Sequence, residues 1–332
     1  MPVYNGEKHI NAAVKSILNQ TFTDFEFLIM NDGSTDKSVE IIHSYNDPRI
    51  KLIHNERNSG LIATLNKGLD LAQGEYIARM DCDDISLPRR LEMQVEFMDT
   101  HPEIGACGTW IKMTGDTTQT RKCYSAPDTI KCELLFGLPI AHPSTIIRKC
   151  FLGKYSLRYD AQFEKAEDYE FWFRCSNYFP LTNINKVLLL YRIHKEQTKS
   201  AYRDIQQKTS NEIRSLQIKK LGINPSESEL ELHQNLSSYH IQPSEDFLHK
   251  ANAWLLKLLD ANKRAACYPE PPFLKTLAKR WFFGCHNATT LGPVTWKIYW
   301  ESPLSKEIHL KYIQKIIFFI KCLLRIKKLK IF

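Results

Sequence analysis

Between residues 25 and 80 short apolar runs alternate with helix-spaced segments, and this alternation limits the fold more than any other feature of the chain. FEFLIM (25–30), IKLIHN (50–55) and EYIARM (75–80) read as buried strands. STDKSVEIIHSYN (34–46), with Ser34 as candidate cap, and LIATLNKGLDLA (61–72), stopped at Gly74, read as the helices between them. Strict alternation predicts parallel strands joined by crossover helices, an α/β layered domain. Ligands of such sheets gather beyond the carboxyl ends of the strands, where NDG (31–33) and DCDD (81–84) both fall. MPVYN reads as the end of a first strand running into a loop, with only Met1 to Val3 in the strand.

The third strand ends in three carboxylates, Asp81, Asp83 and Asp84. Asp81 and Asp83 are two apart, so on extended backbone they share a face and can grip one cation and the anion it carries. The competing reading is an acidic turn that caps the next helix. Asp84 is assigned to that structural role, and Cys82, facing the other way, to packing.

Beyond the acids, LPRRLEMQVEFMDTHPEIG (87–105) opens a helix with Leu-Pro, and ACGTWIKM continues as a strand. EKAEDYEFWFRCSNYF (164–179) predicts a helix beginning near Asp168, its aromatics mainly core, and KVLLLYRIH (186–194) a strand that ends at His194. A boundary is placed near residue 205: a donor half (about 1–100) and an acceptor half (about 101–205), then a mainly helical region, 206–332. Nine scattered cysteines without a C-x-x-C pair suggest neither a disulfide framework nor a zinc site, which points to a reducing, cytoplasmic setting. The net charge of +8 is uneven: the balance is −2 up to residue 200 and +10 thereafter. The basic surplus gathers in the segment 305–332, where isoleucines and leucines stand beside Lys315, Lys321, Arg325, Lys327, Lys328 and Lys330. That composition suits an anionic inner-leaflet membrane surface met from the side. The alternative is a terminal helix docked on its own domain or on a second copy in a homo-oligomer. Nucleic-acid binding is disfavoured, because no zinc, RNP or helix-turn-helix signal accompanies the charge.

PVYN (2–5), NDGSTD (31–36), NSGLIATLNKG (58–68), GEYIARMDCDD (74–84), LPRRLEMQ (87–94), EDYEFW (167–172) and YRIHKEQTKS (191–200), in this order, closely resemble the family 2 glycosyltransferases of bacterial capsule, lipopolysaccharide and exopolysaccharide assembly. The resemblance covers roughly residues 1–200. It implies the GT-A fold, a Rossmann-like, mostly parallel sheet flanked by helices. It also implies a UDP-sugar donor, Mn2+ or Mg2+, and inversion at the anomeric carbon by a single displacement. The acceptor implied is a polyprenyl-diphosphate-linked or related oligosaccharide.

By the same resemblance Asp83 is a metal ligand and Asp81 a ligand of the ribose or the metal, with His194 as a later metal or pyrophosphate contact. Asp32 meets the uracil ring, Pro2 and Tyr4 wall the base pocket, and Asp168 is the general base beside Glu167. Residue by residue, Arg79 and Arg89 read either as phosphate contacts or as salt-bridge and surface charges. Asn58 and Gly60 read either as a turn closing on the base or ribose or as a simple helix cap. Two rivals remain at this point. A nucleotidyltransferase would use paired acids on a similar scaffold but calls for a glycine-rich basic loop, whereas PVYNGEKH has one glycine. A non-catalytic sugar-nucleotide-binding subunit would have no need of every acid found here.

Overall fold

The computed structural model describes residues 1–193, 202–238, 241–308 and 310–327. His194 lies outside them, as do residues 328–332 of the basic tail. The described chain divides into two units, one of Met1–Ile130 with Leu138–Ser210 and one of Lys131–Gly137 with Asn211–Phe332.

In the first unit β1 (Pro2–Val3), β2 (Phe27–Asn31) and β3 (Ile50–His54) form a parallel sheet in that spatial order, connected by α1 (Ile10–Leu18) and α2 (Ser38–His43). α1 buries Ile10, Ala13, Val14 and Ile17, the three-and-four spacing of a helix lying on a sheet. The second helix is shorter than the 34–46 segment suggested. Its first amide, that of Ser38, donates to Asp36 Oδ1 at 3.0 Å, while Ser34 Oγ accepts from the Asn5 amide instead of capping. α3 (Leu61–Leu71) follows as expected.

The parallel expectation ends there. β4 (Tyr76–Ala78) belongs to a second, mixed sheet with β5 (Ile85–Ser86), β6 (Ala106–Gly115), β7 (Thr120–Arg121), β8 (Ile146–Arg148) and β9 (Leu181–Ile193). The strand order is β4-β8-β6-β9-β5, with β7 on β6, and β4 pairs antiparallel with β8. Only β6 and β9 run parallel within it. Alternation reports what connects neighbouring strands, but the partner of β4 comes from some seventy residues later in the chain, beyond any local pattern.

α4 (Arg90–Thr100) is fixed under this sheet by buried polar side chains. Arg90, fully buried, donates to the carbonyls of Arg79 (2.6 Å) and Thr145 (3.2 Å) and to Gln94 Oε1 (3.0 Å). Gln94 in turn donates to the carbonyls of Cys107 and Ser144. Arg90 is therefore a strut that satisfies backbone acceptors at the end of β4.

α5 (Pro127–Glu133) opens a stretch whose residues 131–137 are built into the second unit. That unit contains α8 (Arg203–Lys220, from residue 211), α9 (Glu227–Ser238), α10 (Glu245–Ala265), α11 (Glu270–Asn287), α12 (Pro293–Glu301) and α13 (Tyr312–Leu324), while α6 (Lys149–Lys154) and α7 (Glu167–Cys175) belong to the first. Glu133 and Arg280 form a buried ion pair at 2.5 Å. The Leu135 carbonyl meets His233 Nε2 at 3.0 Å, and the Trp254 indole donates to His233 Nδ1 at 3.2 Å. His233 is thus a neutral Nε2–H tautomer, and burial lowers its pKa to about 3.

Protonating His233 charges a desolvated site and takes the acceptor away from Trp254. Between about pH 3 and 6.5 the unfolded chain binds a proton that the folded chain does not, so stability is full above 6.5 and falls as pH drops through that window. We expect acid unfolding of this unit, followed by tryptophan fluorescence, to lose on the order of 4 kcal/mol across that interval from this group. A His233→Asn protein should show a flatter profile, and equal profiles would refute the role.

The terminal helix α13 is apolar nearly all round. Phe318 and Cys322 are buried among Phe282, Trp296 and Tyr299, and Lys321 Nζ lies 3.0 Å from His286 Nε2. Tyr312, Ile313, Phe319, Leu323 and Leu324 are left exposed. The docked stripe is thus centred on 318 and 322. Of the apolar residues read from the sequence, Ile313 and Leu324 stay outside. Among the described residues no helix is long and apolar enough to cross a membrane.

Candidate active site

The end of β4 is held by Arg79, whose amide donates to the Thr145 carbonyl at 2.9 Å. Its guanidinium, 11% exposed, forms a two-point ion pair with Asp81 at 2.5 and 2.6 Å. The chain then turns, and carboxylate oxygens of Asp81, Asp83 and Asp84 come within 4.8 Å of one another. Asp84, assigned from sequence to a structural role, is fully buried in this cluster. Its Oδ1 accepts from the Arg192 amide at 2.9 Å, and its Oδ2 is buried without a hydrogen-bond partner among the described residues. Burial, with repulsion from Asp81 and Asp83, pushes its pKa up to about 8. Three carboxylates crowded this closely, one with an orphaned oxygen, match the donor set of a hard divalent cation. Cys82 packs away from them: its Sγ would lie 3.1 Å from a Cβ placed on Gly6.

Asp168 stands in the first turn of α7, where the helix dipole favours carboxylates, and its side chain is 29% exposed. Its Oδ2 lies 4.0 Å from His142 Nδ1, and His142 Nε2 is 2.8 Å from the Tyr159 hydroxyl. His142 is buried, and desolvation followed by the charge of Arg79 holds its pKa well below the usual value. Glu167 is 9% exposed, and burial plus the neighbouring Asp168 raises its pKa to about 7. The charge of Arg79 also reaches Asp84, His142, Tyr159 and Glu167, in each case as a smaller influence than burial.

Other residues read from the sequence do different visible work. Asp32 is 5% exposed and accepts from Asn55 Nδ2 (2.8 Å), the Ser59 amide (2.8 Å) and the Gly60 amide (3.0 Å), so its carboxylate pins the 55–60 turn. Asn58 Oδ1 also accepts from the Gly60 amide. Gly60 has φ +84° with open space around it, so conformation alone demands glycine there. Pro2 lies in β1 and Tyr4 is exposed on the loop after it. That loop is tied down by Asn5 Oδ1 accepting from the Thr35 amide and Ser38 Oγ accepting from the Gly6 amide.

The two arginines, read either as phosphate contacts or as salt-bridge and surface charges, are both paired with acids in this structure. Arg79 is committed to Asp81, and Arg89, 62% exposed, bonds Glu92 on its own helix. Phe171 and Trp172 are core. Sequence reading passed over Tyr159, which carries no motif, and Arg192, whose Nε donates to the Asp83 carbonyl at 2.9 Å.

The sequence model of the family described as Glycosyl transferase family 2 matches residues 1–157. An uncharacterized glycosyltransferase of Haemophilus influenzae is 33% identical over 237 residues, 66% of this chain and 73% of that protein. The chain belongs to glycosyltransferase family 2. The O-antigen biosynthesis glycosyltransferase WbnJ of Escherichia coli is 32% identical to this glycosyltransferase over 209 residues, 60% of this chain and 81% of WbnJ. The crystal structure of S. aureus TarS 1-349 in complex with UDP-GlcNAc superposes with a TM-score of 0.58 at 18% identity, covering 92% of this chain and 89% of that one. The glycosyltransferase has the GT-A fold, followed by a helical C-terminal region. The nucleotidyltransferase and non-catalytic readings fall with that assignment.

Proposed function

We propose that this glycosyltransferase moves a hexose or N-acetylhexosamine from a UDP-sugar to a hydroxyl of a polyprenyl-diphosphate-linked or related oligosaccharide, with inversion. The acid cluster with its orphaned Asp84 oxygen carries the reading. Asp81, Asp83 and Asp84 would hold a divalent cation, Mn2+ or Mg2+, and that cation would offset the negative charge gathering on the departing diphosphate. Asp168 receives the proton of the acceptor hydroxyl as its oxygen bonds to the anomeric carbon and the bond to the diphosphate breaks. Arg79 holds Asp81 in place, and Asp32 with Asn58 keeps the 55–60 turn shaped beside the donor base.

TarS binds UDP-GlcNAc and WbnJ acts in O-antigen biosynthesis, which supports the donor and acceptor classes. Turnover of a panel of UDP-, GDP- and dTDP-sugars with Mn2+, followed by linkage analysis of the product, tests the donor. Transfer from GDP- or dTDP-sugars alone would overturn it.

The same reading puts the enzyme's work at the cytoplasmic face of the membrane, and the basic terminal segment supports it. Because Phe318 is core, truncating α13 would unfold the unit, so the test keeps the full chain. Ile313→Ser, Phe319→Ser and Leu323→Ser together should reduce flotation with anionic liposomes several-fold. Unchanged flotation would reject lipid contact through that face.

A further inference from the structure

Behind Asp168 two buried rings are fixed in place before they meet its carboxylate. His142 opens a short 3-10 turn (His142–Ser144) ahead of β8, and its carbonyl accepts from the Thr145 amide at 3.2 Å and the Thr145 hydroxyl at 2.8 Å. Tyr159 is pinned by its backbone: the amide donates to Asn66 Oδ1 and the carbonyl accepts from Asn66 Nδ2, both at 2.9 Å, so α3 sets its position. The helix that carries Asp168 then grips both rings. Phe171 stacks on Tyr159 with centroids 4.2 Å apart, and Trp172 lies edge-on to His142 at 6.1 Å. All four rings are buried, which leaves the imidazole little freedom to turn.

The neighbours of the two ring nitrogens decide which of them carries the proton. Nε2 is 2.8 Å from the Tyr159 hydroxyl, and Nδ1 is 4.0 Å from Asp168 Oδ2. Desolvation, followed by the charge of Arg79, keeps the ring neutral, so it has a single N–H to place. A tyrosine hydroxyl both donates and accepts, whereas an ionised carboxylate only accepts. The arrangement that suits both has the hydroxyl donating to Nε2 and Nδ1–H facing Oδ2. At 4.0 Å the second contact is longer than a hydrogen bond, and catalytic hydrogen bonds of this kind tighten once substrates are in place. The charged and titratable groups around the two rings are Arg79 at the end of β4 and Glu167, Asp168 and Cys175 of α7; of these, Asp168 is the one that Nδ1 faces.

We propose that His142 is the positioning residue of the base: its Nδ1–H aims the Asp168 carboxylate at the acceptor and stabilises it as an anion until attack, while Tyr159 holds the ring from behind. The imidazole passes no proton on. The acceptor's proton ends on Asp168, its oxygen bonds to the anomeric carbon, and the diphosphate leaves with the electron pair of the broken bond. The inference rests on Asp168 as base and adds what aims it.

Two substitutions separate aiming from packing. In His142→Asn the side-chain amide can stand where Nδ1 stands, and in His142→Gln it reaches to where Nε2 stands. The Gln protein keeps a partner for Tyr159, so it should melt close to the parent, yet its kcat should fall at least about 10-fold with the KM for donor unchanged. The acid limb of its kcat–pH profile should move to higher pH, because a carboxylate that loses a facing donor is less readily ionised. The Asn protein should melt lower and still recover most of kcat and the parent's acid limb. The reverse ranking, or a kcat that follows the melting temperature in both, would make His142 a packing residue and overturn the inference. If the Gln chain fails to fold, His142→Ala replaces it as the form without an N–H toward Asp168, and equal kcat for Ala and Asn would overturn the inference. The D168N background keeps this result apart from the base assignment. Full turnover in D168N would remove the base, and the inference with it. With D168N slow, adding His142→Gln should lower the residual turnover by no more than about twofold. A further loss of about tenfold would leave Asp168 as base and reject the action of His142 through it.

Discussion

Replacing Asp168 by Asn leaves the enzyme folded and able to bind donor, and lowers turnover by about 10²- to 10⁴-fold. The size follows from the role: a carboxylate that receives the acceptor proton as attack develops acts only on the transition state, so kcat falls while KM for the donor holds. The substitution keeps the shape of the side chain and an oxygen for the Tyr169 amide, which Asp168 Oδ1 accepts at 2.7 Å. Helix α7 should therefore start as before, and its circular dichroism should not change. Glu167→Gln offers the internal comparison. Glu167 is 9% exposed whereas the Asp168 side chain is 29% exposed, so Asp168 is the better placed to meet an acceptor hydroxyl, and loss of Glu167 should cost far less. Measured turnover that is undiminished in D168N, or lost only in the Glu167 protein, would remove Asp168 from the base role.

How much of this was legible without coordinates depends on how local the cause is. β2, β3 and α3 follow from apolar spacing over ten or so residues, and the structure has β2 and β3 parallel, as alternation predicts. The antiparallel seat of β4 was not legible, because Ile146–Arg148 is remote in sequence and nothing in EYIARM specifies it. The acids were visible as letters but not as an arrangement. Asp84 reads as a cap from its position after D-x-D, yet the Arg192 amide draws it into the cluster from another strand. The pairing of Arg79 with Asp81 and the closing of the 55–60 turn on Asp32 had no local signal to read. His142 and Tyr159 are brought to Asp168 by loops with no periodicity to read. In the tail, composition gave an apolar and basic helix. It did not give which side docks, since a helix apolar all round fits a core by more than one stripe.

The cluster makes the second large prediction, and its sign separates a metal ligand from a cap. Asp83→Ala should remove at least about 100-fold of the Mn2+-dependent part of donor affinity by calorimetry, since loss of a direct ligand costs no less than loss of an outer partner. Binding measured without metal should change little. For Asp84 the two roles predict opposite outcomes. If it were a cap, Asp84→Asn would keep the bond from the Arg192 amide and leave the response to metal as it was. As a member of the cation site, the same change removes a carboxyl whose ionised form is disfavoured by burial and by Asp81 and Asp83, so the metal-free protein should melt higher than the parent. Added Mn2+ should then stabilise it less than it stabilises the parent, because a ligand raises stability only as far as it binds the folded state. A thermal-shift titration of the parent, D83A and D84N reads both effects on one plate. An Asp84→Asn protein with the parent's melting point and the parent's full Mn2+ shift would return Asp84 to the turn and leave the cation to Asp81 and Asp83.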